Sequence, residues 1–379
     1  GGVWSFTVAD FLVVDDFESY TDDEGSRIYE TWIDGWTNGT GSVVGNLNAP
    51  FAERTIVHSG KQAMPMDYNN AKTPFYSEAE QEFVPLQNWT GYKVDTLSLW
   101  FRGNPVRFVD KGDGAFTVGA SGHDIWDNAD DFRFVYKRLN GNGSVQVKVE
   151  SLVNTNAWAK AGVMIRDNLT AGSTMAYMIV SWSSGASFGW RQVADGTCGS
   201  ATQTGITAPQ WVKLTRTGNA FTAQYSADGK TWIDIKNATG QVVSTTITMA
   251  TNCYIGLGTT SHNAAATTTA QYSGAATTGG VTGLWQETWI GDDADLTNGA
   301  VGLYVAVEDS AGKSAVLTHP DPLAANVAVW TEWQIPLSSL TGVNVAKVKK
   351  LYLGVGDRKA PVPGSAGRIY IDDICLVRP

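Results

Sequence analysis

The chain has 379 residues, 43% hydrophobic and 17% charged, a composition that argues for folded cores and against disorder. Its net charge of -10 disfavours nucleic acid and anionic membrane surfaces as partners, because clustered Lys and Arg bind both. No apolar run approaches the ~20 residues of a transmembrane helix, which argues against membrane insertion. Short runs rich in Val, Ile, Thr, Tyr and Trp, bounded by Gly, Asn and Asp, predict an all-β protein.

Residues 1–10 predict a single strand with one apolar face, because Trp4, Phe6 and Val8 alternate with smaller or polar residues. No turn follows that would fold this strand back as a hairpin. The stretch resembles the closing strand of a fibronectin type III-like sandwich, which implies that the chain is part of a longer protein. Such a strand needs a sheet to join, either in its own chain or in a neighbouring subunit.

Two separate segments, residues 11–105 and 284–379, predict one split jelly-roll domain. A jelly roll needs about eight strands, and the two segments supply that number only together. Each contains a pair of aspartates beside a strand, at 15–16 and at 372–373. We expect the first and last strands of this domain to pair in one sheet.

Residues 106–283 predict a second sandwich, inserted into a loop of the first. Alternating runs recur here, and Asn-Gly-Asn-Gly at 140–143 and Ala-Asp-Gly-Lys at 227–230 are typical of hairpin turns. The Ala-, Thr- and Gly-rich tract at 263–280 predicts an exit linker that ends this domain. The predicted fold class is therefore all-β, with two jelly-roll β-sandwiches, one inserted in the other, and an N-terminal strand.

Several runs resemble known families. Those at 15–20, 304–309 and 370–374 resemble a jelly-roll module of large secreted bacterial surface proteins, similar to laminin-G-like and carbohydrate-binding sandwiches. The runs at 131–136 and 158–166 resemble concanavalin-like domains. The resemblance implies a secreted, cell-surface location and a structural calcium ion held by Asp16, Glu18 and Asp372. The alternative is that these carboxylates simply face water.

The chain has 15 tryptophans, which either pack between sheets or present a ring face on which a sugar stacks. Four in loop-like contexts are the candidates for glycan binding: Trp32, Trp36, Trp126 and Trp158.

Cys198 and Cys253 lie in the same segment, and the sequence leaves open whether they form a disulfide or stay free. Asn-x-Ser/Thr sequons mark five possible glycosylation sites: Asn38, Asn88, Asn142, Asn168 and Asn237.

The sequence contains no phosphate-binding loop, no Cys-x-x-Cys and no His-Glu-x-x-His, and we predict no catalytic residue and no enzyme activity. Glycoside hydrolysis by a pair of carboxylates is the enzymatic alternative. We expect a structural or adhesive extracellular protein of the cell surface or matrix that assembles with copies of itself. Residues 3–8 would add as a strand to the next copy, head to tail, and so build a filament. The alternative function is a polysaccharide-binding accessory module of a larger secreted carbohydrate-active enzyme.

Overall fold

The computed structural model describes residues 11–378. Their regular secondary structure is almost entirely antiparallel β-strand, so the prediction of an all-β protein is confirmed. Two four-residue helices, α1 (Ile28–Thr31) and α2 (Gly35–Asn38), occur in this range. Three short 3-10 helices accompany them, at Gly91–Lys93, Ala324–Asn326 and Leu337–Ser339. No helix in the described range is long and apolar enough to cross a membrane.

The chain divides into two compact units. Unit 1 contains residues 11–104 and 298–378 of the described range, and unit 2 contains residues 105–297. The second boundary falls at 297/298 rather than at the predicted 283/284, because a strand of unit 2 continues to Ile290.

The first part of unit 1 contributes six strands: β1 (Phe11–Asp15), β2 (Trp32–Ile33), β3 (Ser42–Val44), β4 (Met64–Asn69), β5 (Ser77–Gln87) and β6 (Thr96–Arg102).

Unit 2 contributes the next fifteen: β7 (Phe108–Asp110), β8 (Phe116–Ala120), β9 (Ile125–Trp126), β10 (Ala129–Asp130), β11 (Phe132–Leu152), β12 (Lys160–Arg166), β13 (Met175–Ser181), β14 (Ala186–Arg191), β15 (Gly199–Gln203), β16 (Gln210–Thr217), β17 (Ala220–Ser226), β18 (Ile233–Asp234), β19 (Ser244–Thr246), β20 (Asn252–Thr260) and β21 (Thr268–Ile290).

The last part of unit 1 adds five: β22 (Leu303–Asp309), β23 (Ser314–Thr318), β24 (Thr331–Pro336), β25 (Val348–Val355) and β26 (Ala366–Val377).

Unit 1 is a sandwich of two antiparallel sheets. One has the order β24-β6-β26-β4-β3, with β1 also paired to β26, and the other has the order β2-β5-β25-β22-β23. One apolar cluster contains side chains from both sheets, among them Leu99 and Ile371 from the first and Val305 and Leu353 from the second. The first and last strands pair as expected, with β1 antiparallel to β26.

Unit 2 is built around two long strands, β11 and β21, which pair along most of their length. The first half of β11 pairs with β20 on its other side, and the second half pairs with β16. The strand therefore passes from one layer of a sandwich to the other. Strands β12 and β13 of the first layer pack against β16 and β17 of the second, around one apolar core.

The predicted hairpin turn at 140–143 is wrong, because β11 continues through these residues with a bend. Gly141 has a left-handed φ of 74°, and the register against β21 shifts between Leu139 and Gly143. Gly279 of β21 approaches this bend closely, since a Cβ there would lie 2.2 Å from the carbonyl oxygen of Asn142. The predicted turn at 227–230 does form, between β17 and β18.

The predicted linker at 263–280 is also wrong. From Thr268 onward the tract is the first half of β21, held between β8 and β11. Its Thr residues and Tyr272 suit a strand, and its Ala residues allow close packing.

The Cys198–Cys253 disulfide is not formed, and both thiols are free. Cys253 lies in the core between the two layers, whereas Cys198 packs with the apolar cluster on the opposite face of the first layer. The sheet itself therefore separates the two sulfur atoms.

Candidate functional site

A cavity of about 350 Å³ opens on the face of β12–β15 that is turned away from the core of unit 2. We call this cavity the unit 2 pocket. Its principal lining side chains are Asp124, Trp126, Trp158, Lys160, Tyr177 and His262. It has the volume of an ordinary small-ligand site, and it combines aromatic with polar walls.

Tyr177 on β13 is buried and contributes to the floor of the pocket. Its ring lies across Gly189 of β14, where an added Cβ would come within 2.2 Å of the ring carbon Cζ. Glycine at 189 therefore allows the ring to lie flat against the sheet. Hydroxyl groups line the adjoining part, where Ser187 Oγ and Thr202 Oγ1 are 3.0 Å apart.

A cluster of charged and polar groups lies at one side of the pocket. Lys160 Nζ donates to Asp124 Oδ1 and, at 3.2 Å, to the carbonyl oxygen of Trp158. His262 Nδ1 lies 3.1 Å from Asp124 Oδ2. Burial lowers the pKa of Lys160, and the adjacent Asp124 opposes that shift. The opposite charges of Lys160 and Asp124 cancel, so the pair presents polar atoms with little net charge.

Trp126 is held in place by a buried arginine. Arg191 donates to the carbonyl oxygens of Trp126 at 3.0 Å and Asp127 at 3.1 Å. The same guanidinium forms a two-point ion pair with Asp130, with distances of 2.9 and 2.6 Å. Arg166 Nη1 adds a further contact, 3.4 Å from Asp130 Oδ2. This buried cluster fastens the β9–β10 hairpin to the sheet, and with it the position of Trp126.

Trp158 is positioned by the loop before β12. Its backbone N–H donates to Asn156 Oδ1 at 2.9 Å. Lys160 Nζ lies 5.2 Å from the centroid of its ring, in the range of a cation–π contact. The structure thus brings two predicted glycan-binding tryptophans, Trp126 and Trp158, to one pocket.

The other two predicted tryptophans lie in unit 1. The assignment of Trp32 to glycan binding is wrong, because its side chain is 0% exposed and belongs to the core. Its indole N–H donates to Asp15 Oδ2 at 2.9 Å. Trp36, by contrast, is 87% exposed.

The three predicted calcium ligands lie in unit 1. Glu18 Oε1 accepts from the backbone N–H groups of Lys61 at 2.7 Å and Gln62 at 3.1 Å. Asp372 Oδ2 accepts from the backbone N–H of His58 at 2.9 Å. Burial raises the pKa of Asp372 to about 6.

Glu18 and Asp372 thus hold the loop at 58–62. The third carboxylate, Asp16, accepts through Oδ1 from the backbone N–H of Glu18 at 3.2 Å. In the described part of the chain, no group of three or more His, Cys, Asp or Glu side chains is arranged to hold a metal. Calcium binding stays a prediction.

Four of the sequon asparagines are exposed: Asn88, Asn142, Asn168 and Asn237. Asn38 is half-buried, and its Nδ2, the atom that would carry a glycan, donates to the carbonyl oxygen of Glu78 at 2.8 Å. The proposed assembly residues Trp4, Phe6 and Val8 lie outside the described residues.

Sequence reasoning missed Asp124, Lys160, Tyr177 and His262 as pocket residues. One signal was available: Lys160 and Arg166 occupy two positions of a strand whose other residues are apolar or Gly. Buried cations in such a strand need partners, and those partners mark the face on which a site can form.

The sequence matches no protein-family model and no curated protein. Among solved structures, the chain is similar to a functionally unknown protein from Saccharomyces cerevisiae, with 17% identity, 47% of this chain and 94% of that chain covered, and a TM-score of 0.37. It is also similar to the GH43 protein BlXynB from Bacillus licheniformis, with 14% identity, 42% and 31% coverage, and a TM-score of 0.31.

Lectin I from Ulex europaeus, solved with the methyl glycoside of α-L-fucose, gives 12% identity, 53% and 98% coverage, and a TM-score of 0.26. Since 31% of BlXynB is covered, this chain spans less than a third of that protein. The fold assignment rests on the strand pairing described above, which agrees with the resemblance of the middle segment to concanavalin-like sandwiches. The laminin-G-like and fibronectin type III-like resemblances stay predictions.

Proposed function

We propose that this protein is a non-enzymatic carbohydrate-binding module of an extracellular protein, and that unit 2 holds the saccharide. The observation that carries the proposal is the unit 2 pocket, where Trp126 and Trp158 share one cavity with the Asp124–Lys160–His262 cluster. A pyranose ring has an apolar C–H face and an edge of hydroxyl groups. Indole rings offer a surface on which the C–H face can stack, and paired hydrogen-bond donors and acceptors suit the hydroxyl groups.

The charge of the pocket supports a neutral sugar. Lys160 and Asp124 neutralise each other, and Asp124 also accepts from the backbone N–H of Ile125 at 2.7 Å. A second anion beside Asp124 would meet a carboxylate, whereas a hydroxyl group can donate to it or accept from a neighbouring donor. A neutral polyhydroxylated ligand therefore fits this cluster better than an anionic one.

The lining also supports binding without hydrolysis. A glycosidase needs two carboxyl groups at a set separation, and Asp124 is the one carboxylate among the described residues that line the pocket. Asp124 is moreover occupied by Lys160 and His262. The proposal therefore includes no catalytic residue.

Glycan-array binding, followed by calorimetric titration of the best ligand, tests this proposal. We expect Trp126→Ala and Trp158→Ala each to weaken binding at least tenfold, since truncated aromatic anchors commonly cost more than about 1.4 kcal/mol. Trp232→Ala is the matched control, because Trp232 is a half-buried tryptophan of unit 2 outside the pocket lining. Equal binding by all three variants, or no binding of the intact protein to any glycan, would show that the proposal is wrong.

A further inference from the structure

Trp36 presents its indole ring to solvent from the short helix α2 in unit 1, with 87% of its surface exposed. We propose that Trp36 is the platform of a second carbohydrate-binding site, separate from the unit 2 pocket. A single exposed apolar side chain is ordinary, but Trp36 also lines a surface cavity whose other walls are mostly polar, which suits a ligand with one apolar face and polar edges.

The segment that carries Trp36 is held rigidly on both sides. Asp34 accepts from the backbone N–H of Trp36 at 3.0 Å through Oδ1, and from that of Val44 at 2.8 Å through Oδ2. Gly35 packs so closely that an added Cβ would lie 2.2 Å from the carbonyl oxygen of Thr40. The ring therefore stands on a prearranged backbone, which lowers the entropy that binding must remove.

The end of this segment is fastened to the neighbouring strand β5. Asn38 Nδ2 donates to the carbonyl oxygen of Glu78 at 2.8 Å, and Ser42 Oγ donates to the same oxygen at 2.7 Å. Glu78 belongs to strand β5, so both bonds attach the segment to a strand of the unit 1 sandwich. The platform thus belongs to the sheet scaffold of unit 1 rather than to a separate loop.

The surroundings of Trp36 are polar. A cavity of about 400 Å³ lies beside it, and the exposed side chains of Asn69, Lys72 and Thr73 contribute to its lining. Val43 is the one large apolar neighbour in this lining. Amide, hydroxyl and ammonium groups around a single flat ring match a sugar, whose apolar face covers the ring while its hydroxyl groups reach the polar rim.

A protein partner fits this surface less well than a saccharide. The centre of a protein interface excludes water through a continuous apolar patch around its aromatic anchor, and the groups around Trp36 are small or polar. We therefore commit to a saccharide as the occupant.

The test compares the intact chain with four variants on an array of immobilised polysaccharides and defined oligosaccharides. The variants are Trp36→Ala, the double variant Trp126→Ala/Trp158→Ala, the triple variant that combines them, and Leu47→Ala. Leu47 is the control, because it is an equally exposed apolar residue of unit 1, at 92%. Thermal unfolding of each variant checks that both units stay folded, and the single Trp126→Ala background replaces the double variant if that one unfolds.

We expect the double variant to keep binding to at least one polysaccharide, and the triple variant to lose that signal at least tenfold. Leu47→Ala should bind like the intact chain. Loss of all binding in the double variant, with Trp36→Ala unchanged, would overturn the second site and leave the unit 2 proposal standing.

Sedimentation velocity tests whether Trp36 contacts another protein chain instead of a saccharide. If Trp36→Ala changes the oligomeric state while every glycan signal is unchanged, Trp36 contacts protein and the saccharide assignment is wrong. No glycan binding by the intact chain would overturn both proposals together.

Discussion

Asp130 gives the sharpest test of how the unit 2 pocket is held. Its carboxylate and the guanidinium groups of Arg166 and Arg191 are all 0% exposed. Asp130→Asn keeps the shape of the side chain but leaves two buried cations without their counter-charge. Breaking a buried ion pair on one side commonly costs about 3–5 kcal/mol.

For a unit of this size, that cost corresponds to a fall in Tm of about 6–20 °C, measured by differential scanning calorimetry. The control is Asp113→Asn, an exposed aspartate of unit 2, for which we expect a change below about 0.5 kcal/mol. A fall no larger than that of the control would refute the inference that the cluster fastens the β9–β10 hairpin.

Binding separates the positioning role from stability. Arg191→Lys keeps a positive charge near Asp130 but loses the planar fork that also reaches the carbonyl oxygens of Trp126 and Asp127. We expect glycan affinity to fall about tenfold at temperatures well below unfolding, where Trp126 is no longer fixed. Unchanged affinity in the folded variant would contradict this role.

Three further predictions concern other parts of the chain. Gly189→Ala should lower the free energy of unfolding by about 1–3 kcal/mol in denaturant titration and weaken glycan binding, because the new methyl group displaces the Tyr177 ring. Burial raises the pKa of Asp372 from 3.8 to about 6 in the folded protein, so the folded form holds this proton more tightly than the unfolded form does. The free energy of unfolding should therefore decrease by about 2–3 kcal/mol as the pH rises from about 4 to about 6. Asp372→Asn should remove that pH dependence. Since Cys198 and Cys253 are free, reducing agent should leave the Tm unchanged, whereas a drop would indicate a disulfide.

The strand content could be predicted from sequence because alternating apolar residues and Gly- or Asn-rich boundaries are local signals. The course of β11 could not, because Asn-Gly-Asn-Gly is compatible with both a hairpin and a bend. The choice depends on β21, whose residues from Thr268 to Ile290 pair with both halves of β11. The same pairing places most of the Ala-, Thr- and Gly-rich tract at 263–280 in strand β21, where the sequence predicted a linker.

The pocket was only half predictable. Trp126 and Trp158 could be proposed because aromatic residues in loop-like contexts are visible in a sequence. Their polar partners could not, since His262 reaches Asp124 only because β12 and β20 pair with Lys160 opposite Thr260. Trp32 was wrongly proposed as a glycan-binding residue. Its polar neighbours in the sequence are typical of a loop, whereas its ring is buried in the core of unit 1.

The pairing of β1 with β26 has a consequence for synthesis on the ribosome. Phe11 lies opposite Val377, so the first strand of unit 1 lacks this partner until translation has reached residue 377. At about 5–20 residues per second, translation of the intervening chain takes roughly 20–70 s. Throughout that interval the nascent first part of unit 1 exposes unpaired strand edges, which favour aggregation. Unit 2 is translated in full before β22 begins, so it can fold first, and we expect unit 1 to depend on chaperones until its last strand leaves the ribosome.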